Sequence, residues 1–159
     1  MAVNGKPVVM LVDGEEMVLT SIRAMLLLED GYRVRCFTNP AEAARSVEGD
    51  PVDVIVSDYL MPGLTGIQLL ALAKALQPEA SRVLLAGHAD KASAIQAISE
   101  VGLFQYLEKP WDNNQLLLVI QHATERTQLL RDLRSKVTEL DAAHGNLKEV
   151  QARLIKAFL

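Results

Sequence analysis

The chain has 159 residues, 50% of them hydrophobic and only 4% aromatic, with a net charge of −4, which allows one aliphatic-cored domain plus an appendage and excludes a disordered chain. The single cysteine, Cys36, excludes an internal disulfide and a cysteine-rich zinc site. No secretory h-region and no apolar stretch of ~20 residues occurs, so a reducing cytoplasm is the expected setting, with no membrane contact.

Residues 7–12 are a short apolar run of the buried-strand type. Residues 16–29 carry Met17, Ile22, Met25 and Leu26 at helical spacing and stop at Asp30-Gly31. Residues 33–37 alternate, which predicts a strand near an edge with Cys36 as a small packing residue. Thr38-Asn39-Pro40 supplies a capping side chain ahead of a first-turn proline, so residues 41–47 should be helical and end at Gly49-Asp50-Pro51. Residues 52–57 are apolar at consecutive positions and rich in β-branched side chains, the mark of a central strand covered on both faces. A helix over 66–76, a strand over 82–85, a helix over 91–100 and a strand over 105–108 follow. Five strands alternating with helices predict a doubly wound α/β domain with a parallel sheet and right-handed crossovers.

After Lys109-Pro110-Trp111-Asp112 the pattern changes. Asp112 is a candidate N-cap, and no proline occurs from there to the end. Leu116, Val119, Ala123, Arg126, Leu130, Leu133, Val137, Leu140, His144, Leu147, Gln151, Leu154 and Phe158 follow a 3,4 spacing, most of them apolar. The early part must pack on the sheet, so the free seam is expected to start near Leu130. A continuous helix here would be a rod of ~70 Å, with Gly145 as a candidate hinge. The leading expectation is a homodimer through residues 130–159, since no second helix is predicted to pair with the first. The alternative is one amphipathic helix folding back on the domain. Residues 1–112 hold 9 basic and 15 acidic side chains and residues 113–159 hold 7 and 5. The domain is therefore a poor nucleic-acid binder, and the tail reads as a solvated helix face.

Three strand ends carry chemistry. Asp13 follows the first strand, Asp58 ends the third and Lys109 follows the fifth. At the carboxyl edge of an α/β sheet, two acids and a lysine suit phosphoryl acceptance on a carboxylate. Asp58 would be the nucleophile, Lys109 a point charge for a phosphoryl oxygen, and Asp13, Asp58 and a backbone carbonyl the ligands of an octahedral Mg²⁺. Taken singly, such an Asp is more often a turn or helix cap, and a Lys-Pro pair is a loop signal. Their joint occurrence in the order acid, acid, lysine favours the site. His88 is expected to be a loop residue at the same edge, while His122 and His144 lack metal-ligand partners at helical spacing.

Leu11-Val12-Asp13, the run Ser57-Asp58-Tyr59-Leu60-Met61-Pro62-Gly63 with Gly66, and Tyr106-Leu107-Glu108-Lys109-Pro110 resemble, in order and spacing, the signatures of a response-regulator receiver domain of two-component signalling. The resemblance covers about residues 6–125. It implies a flavodoxin-like (βα)5 fold with strand order 2-1-3-4-5, here as a receiver over 1–125 and a helical, coiled-coil extension over 126–159. It also implies that Asp58 accepts a phosphoryl group from a histidine kinase or phosphotransfer protein, with Mg²⁺ held by Asp13, Asp58 and the Leu60 carbonyl. In the family Lys109 contacts the phosphoryl group, and an aromatic at the place of Tyr106 turns inward on activation.

Two positions depart from the pattern. The second acid of the first strand end is Gly14, which should weaken Mg²⁺ binding. Glu15 or Glu16 could reach in only from a displaced position. The Thr or Ser that ends the fourth strand is Ala86, which removes a donor to the phosphoryl oxygen worth ~1.5–3 kcal/mol. A phosphoacceptor receiver signalling through its C-terminal helix to an output module in a longer chain is the leading reading. Receivers with Lys-Pro-Trp and a following coiled coil resemble those attached to HD-GYP-type phosphodiesterases, but the domain itself is not read as an enzyme. A degenerate receiver that dimerises or docks without phosphorylation is the alternative. A small flavin carrier of the same fold is disfavoured, because Gly14-Glu15-Glu16 stands where a phosphate-cradling loop would be.

Overall fold

The computed structural model describes residues 5–144 and 148–159. The five apolar runs become parallel strands β1 (Val8–Val12), β2 (Arg33–Phe37), β3 (Val54–Asp58), β4 (Ser81–Ala86) and β5 (Gln105–Glu108). Their order is β2-β1-β3-β4-β5, the flavodoxin-like arrangement. Between and after them lie α1 (Glu16–Leu28), α2 (Pro40–Gly49), α3 (Gly66–Leu76), α4 (Lys91–Val101), α5 (Asn113–His144) and α6 (Lys148–Phe158).

Local chemistry sets the helix starts. The Asn39 side chain accepts from the Ala41 N–H at 2.8 Å, with Pro40 in the first turn of α2. Thr65 and Gln68 form a reciprocal capping box on α3. Asp112 accepts from the Asn114 N–H at 2.8 Å at the start of α5, as the sequence predicts. Gly102, with φ of 59°, closes α4 in the left-handed conformation.

The strands β1, β3 and β4 are buried along their whole length, and β2 and β5 are the partly exposed edges. Alternate strand residues face opposite sides. Val9, Leu11, Val54, Val56, Val83 and Leu85 pack under α1 and α5. Met10, Val12, Ile55, Leu84 and Ala86 pack under α2, α3 and α4. Each fully buried Val, Leu or Ile stabilises the fold by ~1.5–3 kcal/mol, and the two aliphatic layers hold the sheet edge that carries the acids.

The C-terminal segment differs from the expected continuous rod. The first helix ends at His144 and a second helix, α6, folds back along it. Gln151 Nε2 donates to Thr138 Oγ1 at 2.9 Å, and Arg126 Nη2 donates to the Phe158 carbonyl at 2.9 Å, so paired positions run in opposite directions. The expectation that no second helix would pair with the first is thus corrected. The physical reason is that α5 carries an apolar stripe needing cover, and a short intramolecular closure supplies one at little entropic cost. The candidate hinge at Gly145 lies outside the described residues.

Candidate functional site

Strands β1 and β3 are neighbours with Val12 opposite Ser57, so Asp13 and Asp58 emerge side by side at the carboxyl edge. The edge is locked by the Tyr59 N–H donating to the Leu85 carbonyl and the Lys109 N–H donating to the Ala86 carbonyl, each at 2.9 Å. Gly66 is required here, because a Cβ would come within 2.1 Å of the Asp58 carbonyl oxygen. Across the edge, Lys109 Nζ donates to Asp58 Oδ1 at 2.8 Å and lies 3.8 Å from Asp13 Oδ2. The Lys109-Pro110 bond is cis. The two acids and the lysine singled out from sequence are therefore brought together.

Asp13 is 2% exposed. Its Oδ1 accepts from the Glu15 N–H at 2.8 Å, while its Oδ2 is buried without a hydrogen-bond partner. Burial is the largest influence on its carboxyl group and raises its pKa; the Glu15 amide opposes it, the Asp58 charge adds to it and Lys109 opposes it. A buried, orphaned carboxylate oxygen beside a second acid is the donor geometry that a hard divalent cation satisfies. The residues fit Mg²⁺, but thinly. Glu15 and Glu16 are exposed, and no cluster of three acidic, His or Cys ligands forms among the described residues. Gly14 is exposed, its backbone is outside the left-handed region, and nothing lies within 4 Å of a Cβ built on it. The place of the missing acid is open space.

Ala86 is fully buried and presents only a methyl group at the end of β4. Tyr106 packs against the cluster that contains Ala86, Ala94 and Ala97, and its Oη is buried without a hydrogen-bond partner. Burial raises the phenol pKa, with Glu108 and Asp90 adding to the effect. His88 begins a single 3-10 turn and its exposed Nδ1 lies 3.1 Å from Glu108 Oε1, consistent with a loop residue at the rim. Leu60 is in the loop after β3 and its side chain is 64% exposed, so only its backbone could serve the site.

The opposite edge of the sheet holds a polar network that sequence reasoning missed. Asp53, 2% exposed, accepts from the Val8 N–H at 2.6 Å and pairs with Arg131 on α5. Thr127 donates to the Asp53 carbonyl at 2.8 Å and shares a 2.9 Å hydrogen bond with Ser81 Oγ. Arg134 pairs with Glu79 at 3.1 Å. Arg82 is fully buried in β4, donates to the carbonyls of Val101, Gly102, Pro78 and Ala80, and has its pKa lowered by burial to about 10, with Arg126 adding. Contacts with the sheet thus continue along α5 as far as Arg131, and Arg126 turns to Ser81 and the Phe104 ring rather than to a free seam.

A parallel 2-1-3-4-5 sheet with two acids and a lysine converging at its carboxyl edge is the arrangement expected of a receiver. The chain belongs to the response regulator receiver domain family, whose pattern matches residues 9–121. It is 32% identical over 141 residues to the hydrogenase transcriptional regulatory protein HoxA of Cupriavidus necator, covering 89% of this chain and 29% of that protein. The signal receiver domain of an HD domain-containing protein from Pseudomonas fluorescens superposes with a TM-score of 0.75 at 30% identity, covering 83% of this chain and 96% of that one. The beryllofluoride-activated NtrC4 receiver domain dimer superposes with a TM-score of 0.69 at 32% identity, covering 76% and 98%. The chain spans about three tenths of the length of the curated relatives it matches. No helix among the described residues is long and apolar enough to cross a membrane.

Proposed function

We propose that Asp58 is a phosphoacceptor that takes a phosphoryl group from the phosphohistidine of a partner kinase or phosphotransfer protein. The supporting observation is the Lys109 ammonium held between two buried acids, 2.8 Å from one and 3.8 Å from the other. Lys109 holds one Asp58 oxygen and leaves the other for attack. A P–O bond to Asp58 forms as the P–N bond breaks, and the imidazole leaves with the bonding pair. Lys109 is then placed to neutralise a phosphoryl oxygen. Asp13, Asp58 and the Leu60 carbonyl are the groups that would hold Mg²⁺, which when bound supplies positive charge to the phosphoryl oxygens. Gly14 leaves that set one carboxylate short.

The receiver unit is assigned to 1–125 and the helical extension to 126–159, which carries the state to an output module in a longer cytoplasmic chain and dimerises through residues 130–159. The output of HoxA is transcriptional and one structural relative comes from an HD-domain protein, so either class of output is compatible with this receiver. The test of phosphorylation is incubation with Mg²⁺ and acetyl phosphate. A mass gain of one phosphoryl group, absent in Asp58→Asn, is expected; its absence at every Mg²⁺ concentration would rule the reading out.

A second reading has its own observations. Ala86 offers no hydroxyl and Tyr106 Oη has no partner, which favours a degenerate receiver that acts through dimerisation or docking without phosphorylation. It predicts a tail dimer whose stability ignores phosphodonor and Mg²⁺.

A further inference from the structure

The stripe on α5 that would pair two copies of the chain is covered by the chain's own α6. Leu130 and Val137 are 4% and 6% exposed, and Leu133 lies half-buried between them. Among the described side chains of the returning segment, Gln151 and Ile155 of α6 and Leu159 just after it are partly covered, spaced by four. Gln151 is also a position of the 3,4 seam, but the seam's Leu140 and Phe158 stay 50% and 55% exposed, and Leu154 37%. The hairpin therefore covers the seam in its first half, at Leu130 and Val137, and leaves its later half partly in water, at Leu140 and Phe158. Pairing of two extended copies would cover both halves. The charges along this part of α5, Arg126, Arg131, Arg134 and Lys136 against Asp132, Glu139 and Asp141, nearly balance, so two copies would meet without strong repulsion.

Leu130 and Val137 can be covered only once. We infer that α6 is an intramolecular competitor for the self-association seam of α5, so that a second copy of this chain pairs along α5 only when α6 leaves it. The inference rests on the dimer proposed above. It makes the helical extension a two-state element, a closed hairpin or a paired rod, whose balance sets the apparent dimer affinity.

Two full-length variants separate these states. Ile155 is partly covered in the hairpin but lies off the 3,4 seam, so Ile155→Glu loosens α6 and leaves the paired rod intact. Leu140 is on the seam but 50% exposed in the hairpin, so Leu140→Glu has the opposite effect. Sedimentation equilibrium over a wide concentration range reads the dimer constant, with circular dichroism as the check that the receiver stays folded. The expected result is dimerisation about tenfold or more tighter for Ile155→Glu than for the parent, by release of the closed fraction, and weaker dimerisation for Leu140→Glu. A parent dimer that Ile155→Glu leaves equal or weaker would overturn the competitor role alone. Monomers at all concentrations for parent and Ile155→Glu would overturn the dimer and the competitor role together.

Discussion

At Asp13, burial and the Asp58 charge favour the protonated acid, against the Glu15 amide and Lys109. An acid whose folded pKa is raised weakens the fold at pH values above that pKa, and the penalty disappears as pH falls through it toward the ordinary value of 3.8. Asp13→Asn should therefore raise the melting temperature at pH 7, with the gain shrinking as the pH approaches 4; a lower melting temperature at pH 7 would contradict the assignment. Gly14 leads to a separate expectation. Open space and ordinary backbone at this position let Gly14→Asp add a third carboxylate beside Asp13 and Asp58, and Mg²⁺ should bind about tenfold more tightly by calorimetry. Unchanged affinity would mean that the new acid does not reach the ion. The acids and the lysine were legible because each stands at the carboxyl end of a predicted strand, and a parallel sheet must gather such ends on one edge. Asp53 and Arg82 were not legible, since a charge flanking or entering a strand looks the same in sequence whether it is solvated or buried against a partner.

Among the elements, α5 is the one whose packing departs most from its sequence pattern. Its 3,4 stripe is continuous, but Arg126, Thr127 and Arg131 attach it to the amino-terminal edge of β3 and β4. The Arg131–Asp53 pair is 18% and 3% exposed at the side chains, so removal of the cation leaves a buried carboxylate with the Val8 amide as its hydrogen-bond donor and the Arg35 charge nearby. Arg131→Met should cost about 3 kcal/mol of stability, read as a lower urea midpoint; a midpoint equal to the parent's would show that solvent screens the pair. The strands and α1 to α4 were readable to within a residue or two, because their breakers, Asp30-Gly31, Asn39-Pro40 and Gly49-Asp50-Pro51, are local signals. The return of α6 was not readable. The same stripe serves an intramolecular hairpin and an intermolecular coiled coil, and periodicity carries no record of which chain supplies the cover.

As a whole, the molecule places two polar assemblies at opposite ends of one sheet. Strand β3 connects them, with Asp58 at its carboxyl end and Asp53 just before its amino end, where α5 is attached. The carboxyl edge retains Asp13, Asp58 and Lys109 in contact geometry, while Gly14 and Ala86 stand where the proposed site lacks a metal ligand and a hydroxyl donor. The expected behaviour is therefore phosphorylation at Asp58, a higher Mg²⁺ requirement than a site with a third acid, and weak coupling to Tyr106. The most direct test is reductive trapping. After incubation with acetyl phosphate and Mg²⁺, borohydride converts an aspartyl phosphate to homoserine, and peptide mass mapping locates it. Homoserine is expected at position 58 and nowhere else; reduction at another acid, or none at saturating Mg²⁺, would rule out phosphorylation at Asp58.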